Sequence, residues 1–424
     1  MFNTVKKEKI PLFHPMRHRY FRHLCMANFL ANIGSWMQIF ATGWLVATQT
    51  KDPSVSAFAQ TLTQIPIFLF SILGGVLADR FQIHRYLGGV NIGMMLSATA
   101  LATFCLFTTP GIPIIFFFTF LIATGTALKA SAWQATMSSL VTPEEIEAAA
   151  TLNGLSYNLA SVIGPSLGAL FFVLMGPAIL YFSNALCLGS LVIIYIRMQR
   201  TQTGHNKGTK RRFFELLKEG LKVSFENKKF RSILFTSIMI FFSVSTFQAM
   251  LPAYVSLSLK GDSHILGLLM GGFGSGAVIS AFVLPTLRSI LERHKLLSLA
   301  AIVYGLTLLI IFTSPPVSIL VPVVIIGGFS WASLVSTMNS AAQAVFPSSI
   351  RARALSVYGM CFYGALTLGS LTWGNISDLF GIKSAFLVAG CLMLCTGVYI
   401  FVTRKTDEKY SEKDRDTVQL TDEV

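Results

Sequence analysis

The chain has 424 residues, of which 53% are hydrophobic and only 12% charged, with a mean hydropathy of +0.64. Soluble domains of this length are not so apolar, so membrane is the class the composition selects. The 33 Lys and Arg against 19 Asp and Glu leave a net charge of +14, which must reflect either membrane topology or an acidic partner.

Residues 1–21 are polar and basic. The apolar run after them lacks a small-residue cleavage site, so the segment reads as a cytoplasmic N-terminus and not as a secretory signal. Twelve runs of bilayer-spanning length follow, at roughly 22–47, 56–78, 86–108, 113–139, 151–174, 177–196, 231–256, 264–286, 295–313, 317–340, 353–376 and 383–402. Most connections are short; 197–230 is the exception and divides the chain six plus six. The expected fold is an all-α membrane protein of twelve transmembrane helices in two pseudo-symmetric six-helix bundles, 22–196 and 231–403. The tail 404–424 is charged and expected to be disordered.

With the N-terminus inside, the outside loops carry only Lys51, Lys260 and Lys383, and Lys129 lies within a helix. The remaining Lys and Arg fall in inside segments, which places both termini in the cytoplasm. Topology thus accounts for the basic excess, and no nucleic-acid partner is needed.

In the linker, Phe213, Leu217, Leu221 and Phe225 recur every four residues, with Lys218, Glu219, Lys222 and Glu226 on other faces. This predicts an amphipathic helix over 211–229 on the cytoplasmic membrane surface, serving as a connector or as a regulatory element. The six cysteines lie within apolar runs and read as packing residues. Trp44 and Tyr254, near helix ends, are expected in the interfacial aromatic belt.

Val141 to Ala150 aligns with Val345 to Ala354, each opening the fifth helix of its half. Two six-helix halves with such a repeat are a transporter signature, with the substrate site expected near the bilayer midplane.

After helix two, Gly74-Gly75-Val76-Leu77-Ala78-Asp79-Arg80 passes from tight glycines through an acid to bases, with Arg85 soon after. Gly75 would let helices approach. Asp79 could face a helix N-terminus or a base in one conformation only, as a conformational latch with Arg80 and Arg85 requires. The arginines could equally be plain topology anchors. In helix five, Gly164 and Gly168 form a small-xxx-small pair and Pro165 removes a backbone donor, which suits a close-packed, kinked helix at a moving interface or simple packing. Pro252, Pro285 and Pro322 are expected to kink or end their helices.

Lys129 is the residue with the sharpest functional reading. By helix rise it lies near the middle of helix four, slightly towards the cytoplasm. A central Lys costs about 2.5–3.5 kcal/mol on insertion scales, so it needs a wet cavity, a partner or a route to the surface by snorkelling. No acid lies in any span. A cation left unpaired in a cavity is a place for an anionic substrate group. Thr126, Trp133 and Thr136 share its helix face, and Gln134 adjoins it. Asn28, Asn32 and Trp36 follow one face of helix one, Ser245 and Gln248 lie in helix seven, and Asn339 and Gln343 in helix ten. These amides and indoles could line a binding path or act as interhelical glue.

No nucleotide-binding glycine loop, nucleophile–base pair or metal-ligand spacing occurs. The chain reads as a non-enzyme with no cofactor and no metal site.

The loop motif resembles the cytoplasmic connection between helices two and three of the major facilitator superfamily. With Ser35-Trp36-Met37-Gln38, Gly43-Trp44-Leu45-Val46, Pro66, Trp133-Gln134-Ala135, Ala150-Thr151-Leu152-Asn153-Gly154 and Gly164-Pro165-Ser166-Leu167-Gly168, the chain resembles its enterobactin-exporter-like, transmembrane secretion effector branch over about residues 20–403. The resemblance implies a bacterial inner-membrane secondary transporter, usually an exporter of siderophores, macrolides or other amphipathic compounds. Ile83 and His84 replace bases of the loop motif. The matching second-half loop from Pro285 to Arg293 is degenerate, and helix four lacks the Arg of many proton antiporters, so no coupling ion is assigned.

The expectation is an alternating-access transporter, a monomer in the bilayer, exporting a small amphipathic, anionic solute such as a siderophore. The alternatives are a multidrug or macrolide-type efflux pump, uptake of a siderophore or metabolite, and a non-transporting membrane sensor or assembly partner.

Overall fold

Long apolar runs become continuous helices because only internal hydrogen bonding satisfies their backbone in lipid. The computed structural model describes residues 11–199, 224, 226–346 and 348–421, with the side chains at 71, 72, 75, 76, 78, 79, 199, 348–353 and 404–421 excepted. The helices are α1 (Arg19–Gln49), α2 (Pro53–Arg80), α3 (Ile83–Phe107), α4 (Ile112–Ser139), α5 (Ile146–Met175), α6 (Pro177–Gln199), α7 (Lys228–Ala253), α8 (Ser263–Ile290), α9 (Arg293–Phe312), α10 (Val317–Ala344), α11 (Ser348–Phe380) and α12 (Ile382–Thr421). Short 3-10 turns, His14–Arg17 and Pro143–Glu145, precede α1 and α5. No strand occurs among the described residues.

Ten helices, α3 to α12, are long and apolar enough to cross a bilayer among the described residues. In α1, Asn28, Asn32 and Gln38 dilute the apolar run. Most of the linker helix expected at 211–229 lies outside the described residues. The backbone of α12 stays helical through 404–421, where a disordered tail was expected. Extending an existing helix avoids the cost of nucleating one, and Glu, Lys and Arg are good helix formers.

The residues group into two compact units, Met1–Gln49 with Leu62–Phe213, and Thr50–Thr61 with Phe214–Val424. In the first, α3 packs on α6, and α1 on both α5 and α6. In the second, α9 packs on α12, and α7 on both α11 and α12. The same pairings recur, as the internal repeat leads one to expect. The first turns of α2 join the second unit, which the boundary read from sequence did not anticipate. Asp378 accepts from the Ser54 N–H at 3.0 Å, Thr61 and Ser370 hydroxyls meet at 2.9 Å, and Gln60 donates to Gln248 at 3.2 Å.

Glycines bring α8 and α10 into backbone contact. A Cβ at Gly276 would overlap the Ile325 carbonyl, and one at Gly328 the Phe273 carbonyl. Pro252 precedes the end of α7 by one residue, and the chain then widens into a π-helical turn, Tyr254–Ser258. A proline supplies no N–H and crowds the preceding turn, so the regular ladder ends there. Trp44 and Tyr254 are buried and not in an interfacial belt; the Tyr254 hydroxyl donates to the Ile311 carbonyl at 3.1 Å. Packing in each case buries a ring whose position near a helix end suggested exposure. All six cysteines are free, with Cys391 and Cys395 exposed on α12 rather than packed inside.

Candidate functional site

In the first unit the polar face of α1 meets a matching face of α5. The Asn28 amide donates to the Asn153 side-chain oxygen at 3.3 Å. Two turns on, the Trp36 ring lies 5.8 Å from that of Tyr157, tilted by 56°. Further along, Gly164 sits against Trp36 and the Ile33 carbonyl, where an added Cβ would come within 3.0 Å of the oxygen, and Gly168 sits against Phe40. The helix α5 continues through Pro165 as one element. The Trp36 indole N–H is buried and has no hydrogen-bond partner among the described residues. Asn32, between Asn28 and Trp36, is half-buried.

A different face of α1 serves packing. The Asn184 amide donates to Gln38, and the Thr42 and Tyr181 hydroxyls lie 3.1 Å apart, tying α1 to α6. The amides of α1 therefore divide between an α5-facing row and an α6-facing row, a division that turns on the angle of each residue about the helix axis.

On α4, Lys129 is half-buried and makes no hydrogen bond or ion pair among the described residues. The Thr126 and Thr136 hydroxyls turn back to the carbonyls of Ile122 and Ala132, at 3.1 and 2.8 Å. Trp133 packs on the core of the first unit, and Gln134 is exposed. In the second unit Gln248 accepts from Gln60, the Ser245 hydroxyl donates to Phe242, Asn339 is half-buried and Gln343 is exposed.

At the end of α2, Gly74 abuts the backbone of Leu128, one residue from Lys129, and the Tyr86 hydroxyl donates to the Leu128 carbonyl at 3.0 Å. Arg80 and Arg85 are exposed and unpaired among the described residues, whereas Gly75 and Asp79 are described in their backbone alone. In the second-half counterpart of this loop, Arg288 donates to Ser336 at 2.9 Å. Lys295 donates to Glu292 at 2.8 Å, and this bond together with the ammonium charge holds the Glu292 carboxyl below its usual range.

Sequence reasoning missed a buried ionic cluster. The Glu145 side chain is 1% exposed and faces His14 Nδ1 at 2.6 Å, Arg17 Nε at 3.2 Å and His18 Nε2 at 2.8 Å. It also accepts from the Thr142 N–H and hydroxyl, at 3.0 and 3.1 Å, closing a capping box. The signal was half legible: Thr142-Pro143-Glu144-Glu145 fits the box pattern, but nothing in the sequence marks His14 and His18, at the start of a 3-10 turn and just beyond its end, as partners of Glu145. In the second unit, Phe346 stands where the repeat puts Thr142, and its ring lies 5.0 Å from that of Phe230. An aromatic contact thus occupies the place of the ionic one.

Among the described residues no cluster of His, Cys, Asp or Glu could hold a metal ion.

The family model described as transmembrane secretion effector matches residues 10–421. The staphyloferrin A transporter of Staphylococcus aureus (strain NCTC 8325 / PS 47) is 23% identical over 402 residues, 93% of this chain and 98% of that protein. The multidrug efflux pump Tap of Mycolicibacterium fortuitum is 22% identical over 399 residues, 90% and 95% of the two chains. Among solved structures, the nucleoside transporter NupG superimposes with a TM-score of 0.75 at 12% identity, over 90% of this chain and 99% of that one. A POT family transporter in complex with 5-aminolevulinic acid gives 0.73 at 15% identity, over 91% and 96%. Those structures share the fold. The protein is a multi-pass membrane transporter and not an enzyme. The helical pairings, the glycine-packed loop after α2 and the match along nearly its whole length together make this chain a member of the transmembrane secretion effector family of the major facilitator superfamily.

Proposed function

We propose that the chain exports a small amphipathic, anionic solute, of the carboxylate-bearing siderophore class, across the bacterial inner membrane, with both termini in the cytoplasm. The observation that carries this reading is Lys129, half-buried on an apolar helix and unpaired among the described residues. Such a cation is costly in a membrane and gains most from an anionic guest. The unpartnered Trp36 indole N–H supports it, because a buried donor without an acceptor calls for one. In this reading Lys129 contacts the anion. Asn28, Asn32, Trp36, Thr126, Trp133, Gln134, Gln248, Asn339 and Gln343 line the path. Gly75, Asp79, Arg80 and Arg85 form the latch, and Gly164, Pro165 and Gly168 let α5 move against α1. The similarity to a staphyloferrin A transporter agrees with this solute class.

Two comparisons test it. Metabolite profiles of medium and cells, with and without the gene under iron limitation, identify the solute. Flux of that solute in proteoliposomes containing Lys129→Ala should fall at least ten-fold with the protein level unchanged; unaltered flux removes the role. The similarity to Tap favours a second reading, multidrug efflux, in which Lys129 is incidental. A deletion strain that loses drug resistance but keeps its extracellular siderophore supports that reading instead.

A further inference from the structure

At the basic end of the first unit, α1 begins and α6 finishes beside a cavity of about 230 Å³ lined by Tyr20, His23, Met26, Ile194 and Arg197. We propose that this cavity binds the headgroup of an anionic phospholipid. Three features converge on that occupant.

The first is charge. His23 and Arg197 are exposed and make no ion pair among the described residues, and the lining contains no carboxylate. Arg19 and Arg22 are exposed on the same first turn of α1. A planar guanidinium suits a phosphate diester.

The second is what lies next to the charge. Met26 and Leu30 continue along α1 from His23 at helical spacing, 57% and 48% exposed. On α6, Ile193 and Leu186 run back from Arg197, 53% and 70% exposed. A soluble anion would leave this apolar column uncovered, whereas an acyl chain would cover it. The cavity and the column together match a headgroup and its tail, not an inorganic ion.

The third is the contrast with the second unit. A cavity there also has Arg293, His294 and Tyr399 in its lining, yet it holds only about 30 Å³, room for little more than water. Basic and phenolic side chains recur, but space for a headgroup is found in the first unit. By the distribution of Lys and Arg, the site lies at the cytoplasmic leaflet, where anionic lipids attract bases.

Native mass spectrometry of the full chain, titrated with phosphatidylglycerol and with phosphatidylcholine of the same acyl chains, tests the site. The wild type should retain phosphatidylglycerol at least five-fold better. The pair His23→Gln with Arg197→Gln should abolish that preference, and Arg197→Lys with His23 intact should keep most of it. Both positions are exposed, so folding should survive, and an unshifted Tm in detergent checks this. Equal retention of the two lipids by the wild type overturns the proposal. So does a preference untouched by the double variant. Displacement of the lipid by an equimolar amount of free glycerol 3-phosphate would show that a soluble anion is the occupant, and would also overturn it. Solute flux is not part of this readout, so failure here leaves the transport reading standing.

Discussion

His18 donates to Glu145 across 127 residues of sequence, at 2.8 Å, fixing the chain just before α1 to the turn that opens α5. The carboxylate is the shared acceptor of two imidazoles and of the Thr142 backbone and hydroxyl, and it forms an ion pair with the Arg17 guanidinium. Glu145→Ala should therefore lower the Tm of the purified protein by several degrees. Glu145→Gln, which keeps one acceptor oxygen, should lower it less, and His18→Ala least, since that imidazole is a third exposed. Equal effects of all three would show that the cluster does not act through Glu145.

Close approach of α8 and α10 leaves no room for a methyl group. Gly276→Ala and Gly328→Ala each place a Cβ on a backbone carbonyl, and backbone cannot swing aside as a side chain can. Each should cost about 3 kcal/mol or more and abolish folded protein in the membrane. Gly89→Ala and Gly93→Ala on α3, where nothing lies within 4 Å, should change stability by about 0.5 kcal/mol or less. Yield after solubilisation and Tm separate the two pairs.

Tyr254 and Tyr304 are fully buried, and each donates to a backbone carbonyl of another helix, Ile311 and Val244, at 3.1 Å. Tyr254→Phe and Tyr304→Phe should each destabilise by about 0.5–1.5 kcal/mol, the net worth of a buried hydrogen bond. Transport by the folded fraction should be unchanged, because neither hydroxyl belongs to the α1–α5 face.

Gly164 has the opposite signature. Gly164→Ala pushes Trp36 and the Ile33 carbonyl away from α5. Flux should fall by more than the loss of folded protein explains, because the displaced Trp36 lies in the proposed path. A proportional fall in both would reduce this glycine to a packing role.

Apolar run lengths determined the helical class and the helix count, because a bilayer leaves the backbone few alternatives. The internal repeat was equally legible, and the same helix pairings recur in the two units. What the tertiary structure alone decided was the partner of each polar group. Gln38 and Asn28 stand on one helix and look alike in sequence, yet one ties α1 to α6 and the other pairs with Asn153 on α5. The grouping of residues 50–61 with the second unit, the burial of Tyr254 and the ionic cage of Glu145 depend on which faces meet after folding. Hydropathy is a sum along the chain and reads out from composition. Pairing depends on the rotation of one helix against another, which distant residues set together.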